Sequence, residues 1–186
     1  MAKLKPMIFG GSFDPFHNAH LALIKCSIKE GYRPIYIIPT YISPVNKKMI
    51  APFEERLILL KKGTTGMENV IVSEFEKKQN KICYSIDQVN WIKSIHENQK
   101  ISLLLGEDNL KDMKSWKNYN ELIKSCNIVV ARRMEAEINN KTTILNFKIM
   151  KISSSEIRKK IKEGKPISGT VPKAVEEEIS KRNLYK

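Results

Sequence analysis

Phe9-Gly-Gly-Ser-Phe-Asp-Pro-Phe-His-Asn-Ala-His20 joins glycines, a hydroxyl and two imidazoles to the end of a short apolar run, and the reading of this stretch decides the fold. Pro6 to Phe9 reads as a brief buried strand. Gly10 and Gly11 permit a tight turn with close backbone approach, and Asp14-Pro15 is placed to open a helix running to Gly31. A strand, a glycine turn and a helix N-terminus together make an anion site. Exposed amides and the positive end of the helix dipole both favour negative charge there, and the Ser12 hydroxyl adds a donor. Two of the chain's three histidines, His17 and His20, fall in this segment, three residues apart, which predicts that both face whatever the turn holds. A zinc pair on a helix more often uses i, i+4 histidines with an acid nearby, and no C-x-x-C supplies further ligands, so no metal site is expected.

Outward from this segment, short apolar strands alternate with amphipathic helices. Strands are expected at Ile35–Ile38, Val70–Ser73, Ile101–Leu105 and Ile128–Ala131, and helices at Pro52–Gly63, Tyr84–Ile95 and Trp116–Lys124. The repeated βα order predicts an α/β fold with a mainly parallel sheet covered on both faces. Nothing in the composition marks a break or a linker, so residues 1–186 are read as a single domain.

The 186 residues carry a formal charge of +13, which implies attraction to anions without choosing among nucleotides, nucleic acid and membrane surfaces. The basic residues are spread along the chain without an aromatic-basic interleave, which argues against a nucleic-acid-binding module. Cys26, Cys83 and Cys126 are odd in number and sit in apolar surroundings, as reduced core thiols do. No apolar run is long enough for a signal region or a membrane span, and a cytoplasmic location is the expectation.

In an open parallel sheet, ligands bind beyond the carboxyl ends of strands where the strand order reverses. Gly106-Glu-Asp-Asn109 follows a predicted strand directly, which brings Gly106 and Asp108 to the same edge as the Gly10 turn, where Asp108 is placed either to bind a ribose or base or to cap a helix. Near the C-terminus, Ile152-Ser-Ser-Ser-Glu-Ile-Arg158 carries a capping-box pattern at Ser153 and Glu156. This offers a second helix N-terminus to an anion. Ser154 and Ser155 lie beside it, and Arg158 falls in the first turn, where a guanidinium opposes the dipole unless an anion is present.

Gly10-Gly-Ser-Phe-Asp-Pro-Phe-His-Asn-Ala-His20 and Ile152-Ser-Ser-Ser-Glu-Ile-Arg158 resemble the two signatures of the nucleotidylyltransferase superfamily. Cys83-Tyr-Ser-Ile-Asp-Gln88, Leu105-Gly-Glu-Asp-Asn-Leu-Lys-Asp-Met-Lys-Ser-Trp116, Val129-Val-Ala-Arg132, Val171-Pro-Lys-Ala-Val175 and Leu184-Tyr185 add a collinear likeness to the bacterial nicotinate-nucleotide adenylyltransferase family over nearly the whole chain. The resemblance implies a Rossmann-like, doubly wound domain with C-terminal helices. It also implies transfer of the adenylyl group of ATP to nicotinate mononucleotide by direct in-line attack, giving the dinucleotide precursor of NAD and pyrophosphate. On that resemblance His17, His20 and Arg158 are the catalytic candidates. Gly10, Gly11, Ser12, Phe13, Gly106, Asp108, Ser153, Ser154 and Ser155 would bind ATP, with Mg2+ bound to its phosphates. Lys47, Ser85 and Trp116 would bind the acceptor.

The likeness is incomplete in places. Ala19 stands where the family commonly has Gly, Glu107 where it has Ala, and Ser43-Pro-Val-Asn-Lys47 where it has Pro-Pro-His-Lys. A transferase for the amide mononucleotide or another phosphate acceptor is the alternative. The sequence leaves the oligomeric state open, a homo-oligomer included.

Overall fold

The computed structural model describes residues 5–131, 142–145, 147 and 150–186. Arg132 lies outside them, as does the side chain of Asp108. The elements in chain order are β1 (Met7–Gly11), α1 (Asn18–Lys29), β2 (Ile35–Pro39), α2 (Phe53–Gly63), β3 (Val70–Val72), α3 (Phe75–Gln79), α4 (Ser85–Ile95), β4 (Ser102–Gly106), α5 (Glu107–Asp112), α6 (Tyr119–Ser125), β5 (Asn127–Ala131), β6 (Thr142–Leu145), α7 (Ser154–Lys162) and α8 (Lys173–Lys181), with a 3-10 turn at Met113–Ser115. The strands form one sheet in the order β3-β2-β1-β4-β5-β6. Every pairing in it is parallel.

Period-two alternation along the strands divides the core into two layers. Met7, Phe9, Ile35, Ile37, Leu104 and Val129 pack on one side with Ile24, Leu59, Leu60, Ile157 and Val175, which come from α1, α2, α7 and α8. Ile8, Tyr36, Ile38, Leu103, Leu105 and Val130 pack on the other side with Ile86, Val89, Ile92 and Leu122, from α4 and α6. Strands buried on both faces must be apolar throughout, which is why Ile35–Pro39 is buried at every position. The chain winds from β1 toward β3, then returns across the sheet to β4. The strand order therefore reverses between β1 and β4, and the crevice beyond Gly11 and Gly106 is the topological switch point.

Three sequence expectations move. The first helix opens at Asn18, capped by His17, and not at Asp14-Pro15, because the Asp14 carboxylate caps other amides. Trp116 precedes its helix in extended backbone, since Asn118 takes a left-handed conformation (φ 55°) before α6 begins. Gly106 is not a turn: with φ −70° it is the residue from which α5 starts, and Asp108 is a backbone position inside that helix.

Close packing also fixes Gly63 at the end of α2. A Cβ there would stand 2.5 Å from the ring of Phe16, which is fully buried, and 3.1 Å from Val175. Helix propensity favours Ala over Gly by about 1 kcal/mol, whereas overpacking a filled core costs about 1–3 kcal/mol. Gly63→Ala is therefore expected to lower Tm in a thermal melt. A rise in Tm would mean that Phe16 has room to move.

Candidate active site

The β1–α1 connection is held by bonds that the sequence motif does not announce. The Nδ1 of His17 accepts from the backbone N–H of His20 at 3.4 Å, and the Nδ1 of His20 accepts from the N–H of His17 at 3.3 Å. This is a capping box made of imidazoles in place of a hydroxyl and a carboxylate. Its chemical consequence is a fixed tautomer. A Nδ1 that accepts is unprotonated, so each neutral ring carries its proton on Nε2.

The two rings stack with centroids 3.6 Å apart and planes 13° from parallel. His20 also meets Phe9, Phe13 and Phe16 at 5.9, 5.0 and 5.6 Å. Burial in this aromatic setting, and next the charge that His17 would carry, hold the His20 imidazole well below its ordinary pKa. It is a neutral donor at physiological pH.

Phe13 reaches this position through a left-handed backbone (φ 47°) that turns its ring into the core, where it is 2% exposed. The sequence reading places Phe13 among the ATP contacts, but the ring is a wall of the histidine pocket, and only its backbone remains to face a ligand. The adjoining glycines serve close approach. A Cβ on Gly10 would stand 3.0 Å from the Gln88 amide oxygen, and one on Gly11 would stand 3.2 Å from the Phe13 ring.

The C-terminal motif docks on the same turn. The Ser154 hydroxyl donates to the Pro15 carbonyl at 3.0 Å, and Arg158 Nη1 donates to the Asp14 carbonyl at 2.5 Å. Residues 139 and 144 positions apart in sequence thus become neighbours, and the N-terminus of α7 is brought against the glycine turn. Ser153 caps α7 by accepting from the Glu156 N–H at 3.2 Å, and its hydroxyl donates to the Glu156 carboxylate at 3.1 Å. Ser153 and Ser154 therefore commit their hydroxyls to structure. What this segment offers an anion is the amides of the helix end, the Ser155 side chain, which is exposed, and the remaining donors of Arg158. Asn18 seats the start of α1 by donating from its amide and its backbone N–H to Gly169 and Thr170 carbonyls, each at 2.9 Å.

A groove lined by Tyr41, Ser43, Lys47, Phe53 and Arg56 adjoins the phosphate turn through the bond from Arg56 to the Ser12 carbonyl. The Lys47 backbone is turned by its N–H donating to the Ser43 hydroxyl at 3.0 Å, and its side chain is exposed. Ser85 is the first residue of α4, and Trp116 packs half-buried on the same side of the sheet. Their segments touch, because the Lys117 ammonium lies 4.3 Å from the ring centroid of Tyr84.

Three positions that frame the site escape sequence reasoning. Arg56, 1% exposed, donates from Nη1 to the Ser12 carbonyl (2.7 Å), from Nη2 to the Thr40 carbonyl (2.8 Å) and from Nε to the Ala51 carbonyl (3.2 Å). Asp14 accepts from the Ile50 and Ala51 N–H groups at 2.6 and 3.1 Å. Glu76 accepts from the Tyr41 N–H at 2.8 Å and from the Gln88 amide at 2.7 Å. The only sequence signal for Arg56 is an arginine among acids in the first turn of a helix. That pattern reads as a surface ion pair.

The chain is similar to known proteins along most of its length. A family model described as cytidylyltransferase-like matches residues 8–160. A protein of Thermotoga petrophila described as a "probable nicotinate-nucleotide adenylyltransferase" is 33% identical over 184 residues, covering 92% of this chain and 93% of that one. One of the same description from Aliarcobacter butzleri is 33% identical over 178 residues, covering 95% of each. The solved structure of Plasmodium falciparum nicotinic acid mononucleotide adenylyltransferase complexed with NaAD superposes with a TM-score of 0.80 over 98% of this chain and 97% of its own. Its sequence is 22% identical, so that likeness is one of fold.

Proposed function

Since the chain belongs to the cytidylyltransferase-like family, in its nicotinate-nucleotide adenylyltransferase branch, we propose that it transfers the adenylyl group of ATP to nicotinate mononucleotide, forming nicotinate adenine dinucleotide and pyrophosphate in NAD biosynthesis. The observation that carries the reading is the joining of the two phosphate motifs at the switch point by Ser154 and Arg158. Two helix N-termini and the two imidazoles then meet around one turn, with His20 held neutral.

The acceptor phosphate is an anion at neutral pH and needs no base to activate it. One of its oxygens attacks the α-phosphorus of ATP, the bond from that phosphorus to the bridging oxygen of pyrophosphate breaks, and pyrophosphate leaves with the electron pair. Positioning and charge stabilisation supply the catalysis. In this reading the Nε2–H groups of His17 and His20 donate to phosphate oxygens as charge builds, and Arg158 binds the same phosphate chain. Gly10 and Gly11 let the chain approach the backbone, and Ser12, Gly106 and Ser155 line the crevice. A neutral imidazole at His20 suits this task, since it donates a hydrogen bond without exchanging a proton. Trp116 and Ser85 receive the pyridine ring and its carboxylate, and Lys47 receives the acceptor phosphate.

Mg2+ would arrive with ATP, held by phosphate oxygens and water, and would neutralise the charge of the leaving pyrophosphate. Among the described residues no three His, Cys, Asp or Glu side chains come together to ligate an ion. Among them, too, no helix is long and apolar enough to cross a membrane.

The test is pyrophosphate release from ATP and Mg2+ with nicotinate mononucleotide, nicotinamide mononucleotide or phosphopantetheine as acceptor. Preference for the acid mononucleotide is the expected result. Turnover only with another acceptor would leave the phosphate site standing and overturn the assignment of Lys47, Ser85 and Trp116.

A further inference from the structure

One peptide group at the exit of β2 is held from both sides by buried charge. The Thr40 carbonyl accepts from Arg56 Nη2 at 2.8 Å, and the N–H of the same peptide, on Tyr41, donates to Glu76 Oε2 at 2.8 Å. Arg56 is 1% and Glu76 2% exposed, so both bonds are shielded on the side-chain side from bulk water. The second Glu76 oxygen is occupied by Gln88, whose amide oxygen lies against Gly10 of the phosphate turn. From this peptide onward the chain enters the segment Ile42–Ile50, where Ile42, Val45 and Ile50 are exposed apolar side chains and Lys47 and Lys48 are exposed cations. At the far end Asp14 holds the Ile50 and Ala51 N–H groups, and Arg56 holds the Ala51 carbonyl. Between these two anchors, among the described residues, the segment is bonded only at short range, through Ser43, Val45 and Lys47.

We propose that Glu76 is a positioning residue for the acceptor: with Arg56 it clamps the Thr40–Tyr41 peptide and so fixes the direction in which the Ile42–Ile50 segment, with Lys47, leaves the sheet. The inference rests on the proposed function, in which this segment meets the acceptor phosphate. It also explains a buried carboxylate that makes no contact with the phosphate turn except through Gln88. Glu76 reaches the phosphate turn only at second hand, through Gln88, whereas Arg56 holds the Ser12 carbonyl of that turn directly.

Glu76→Gln keeps the shape and one acceptor but loses the charge and sets a donor against a donor. The KM for the mononucleotide should rise by about tenfold while the KM for ATP stays within about twofold. Trypsin should cut the folded variant after Lys47 or Lys48 about tenfold faster than the wild type, a readout that needs no substrate. Equal rises in both KM values, or an unchanged acceptor KM even with faster cutting, would overturn the positioning role. If wild-type protein turns over a different acceptor, the acceptor assignment has failed and the KM comparison is made with the acceptor that works. Should Glu76→Gln not fold, amide exchange in the wild type decides. The Tyr41 N–H must exchange about a hundredfold more slowly than that of Lys48, and equal rates would remove the clamp.

Discussion

His20→Ala is expected to lower kcat by about 10²–10³-fold, the range found when one donor to a developing oxyanion is removed. The fixed tautomer makes the prediction sharp. His20 Nδ1 is used by the His17 N–H, so the only proton the ring can offer a phosphate is the one on Nε2. Alanine removes that donor and half of the imidazole cap. Loss of a cap costs about 1 kcal/mol, too little to unfold a chain with two full core layers, so the variant should remain folded by circular dichroism while turnover collapses. Unchanged kcat would take His20 out of the mechanism.

The same environment sets a pH dependence. Burial holds the folded-state pKa of His20 below the unfolded value, so the unfolded chain takes up a proton first as pH falls. The stability contributed by neutral His20 is complete above about pH 6.5 and is lost progressively below it. Wild-type Tm should therefore fall with acidification below that point more steeply than Tm of His20→Gln. Parallel curves would mean that the imidazole titrates alike in both states.

Much of this was legible in the sequence. Short apolar runs such as Ile35–Ile38, bounded by prolines, have the length and composition of strands buried on two faces, and acids before lysines at Glu54–Lys62 mark a helix in its correct direction. The Ser153 cap was legible because its hydroxyl and Glu156 interact locally. What could not be read is what depends on partners far along the chain. Ser154 spends its hydroxyl on Pro15, Asp14 caps amides at Ile50 and Ala51 instead of its own helix, and Arg56 gathers three carbonyls from three loops. Composition cannot separate an arginine that salts a surface from one that ends in the core. Nor did the spacing of His17 and His20 reveal that they cap each other; it placed them on one face, and the backbone of Asn18 onward decided the rest.

Arg56→Met is expected to have the largest effect on stability. A buried ion pair exchanged whole for apolar side chains is often neutral or stabilising, but that result requires both partners to be replaced. The partners of Arg56 are the carbonyls of Ser12, Thr40 and Ala51, which no side-chain substitution removes. Methionine fills the aliphatic volume and leaves these oxygens without donors, at about 1–3 kcal/mol each if they stay dry. It also leaves the charges of Asp14 and Glu76, which act on the guanidinium, without their counter-charge. The terms share one site and do not add, so a total of about 3–5 kcal/mol is the reasonable sum. For a chain of this size that lowers Tm by about 6–20 °C. Because the Ser12 and Thr40 carbonyls belong to the two halves of the crevice, the KM for both substrates should rise together, in contrast to the one-sided effect of Glu76→Gln. Arg56→Lys keeps the charge but presents a point donor in place of a planar fork, so it can satisfy one loop at a time and should fall between wild type and Met. A Met variant that melted within about 2 °C of wild type, below the shift that a single kcal/mol produces in a chain this long, would show that the three loops hold their places without the guanidinium.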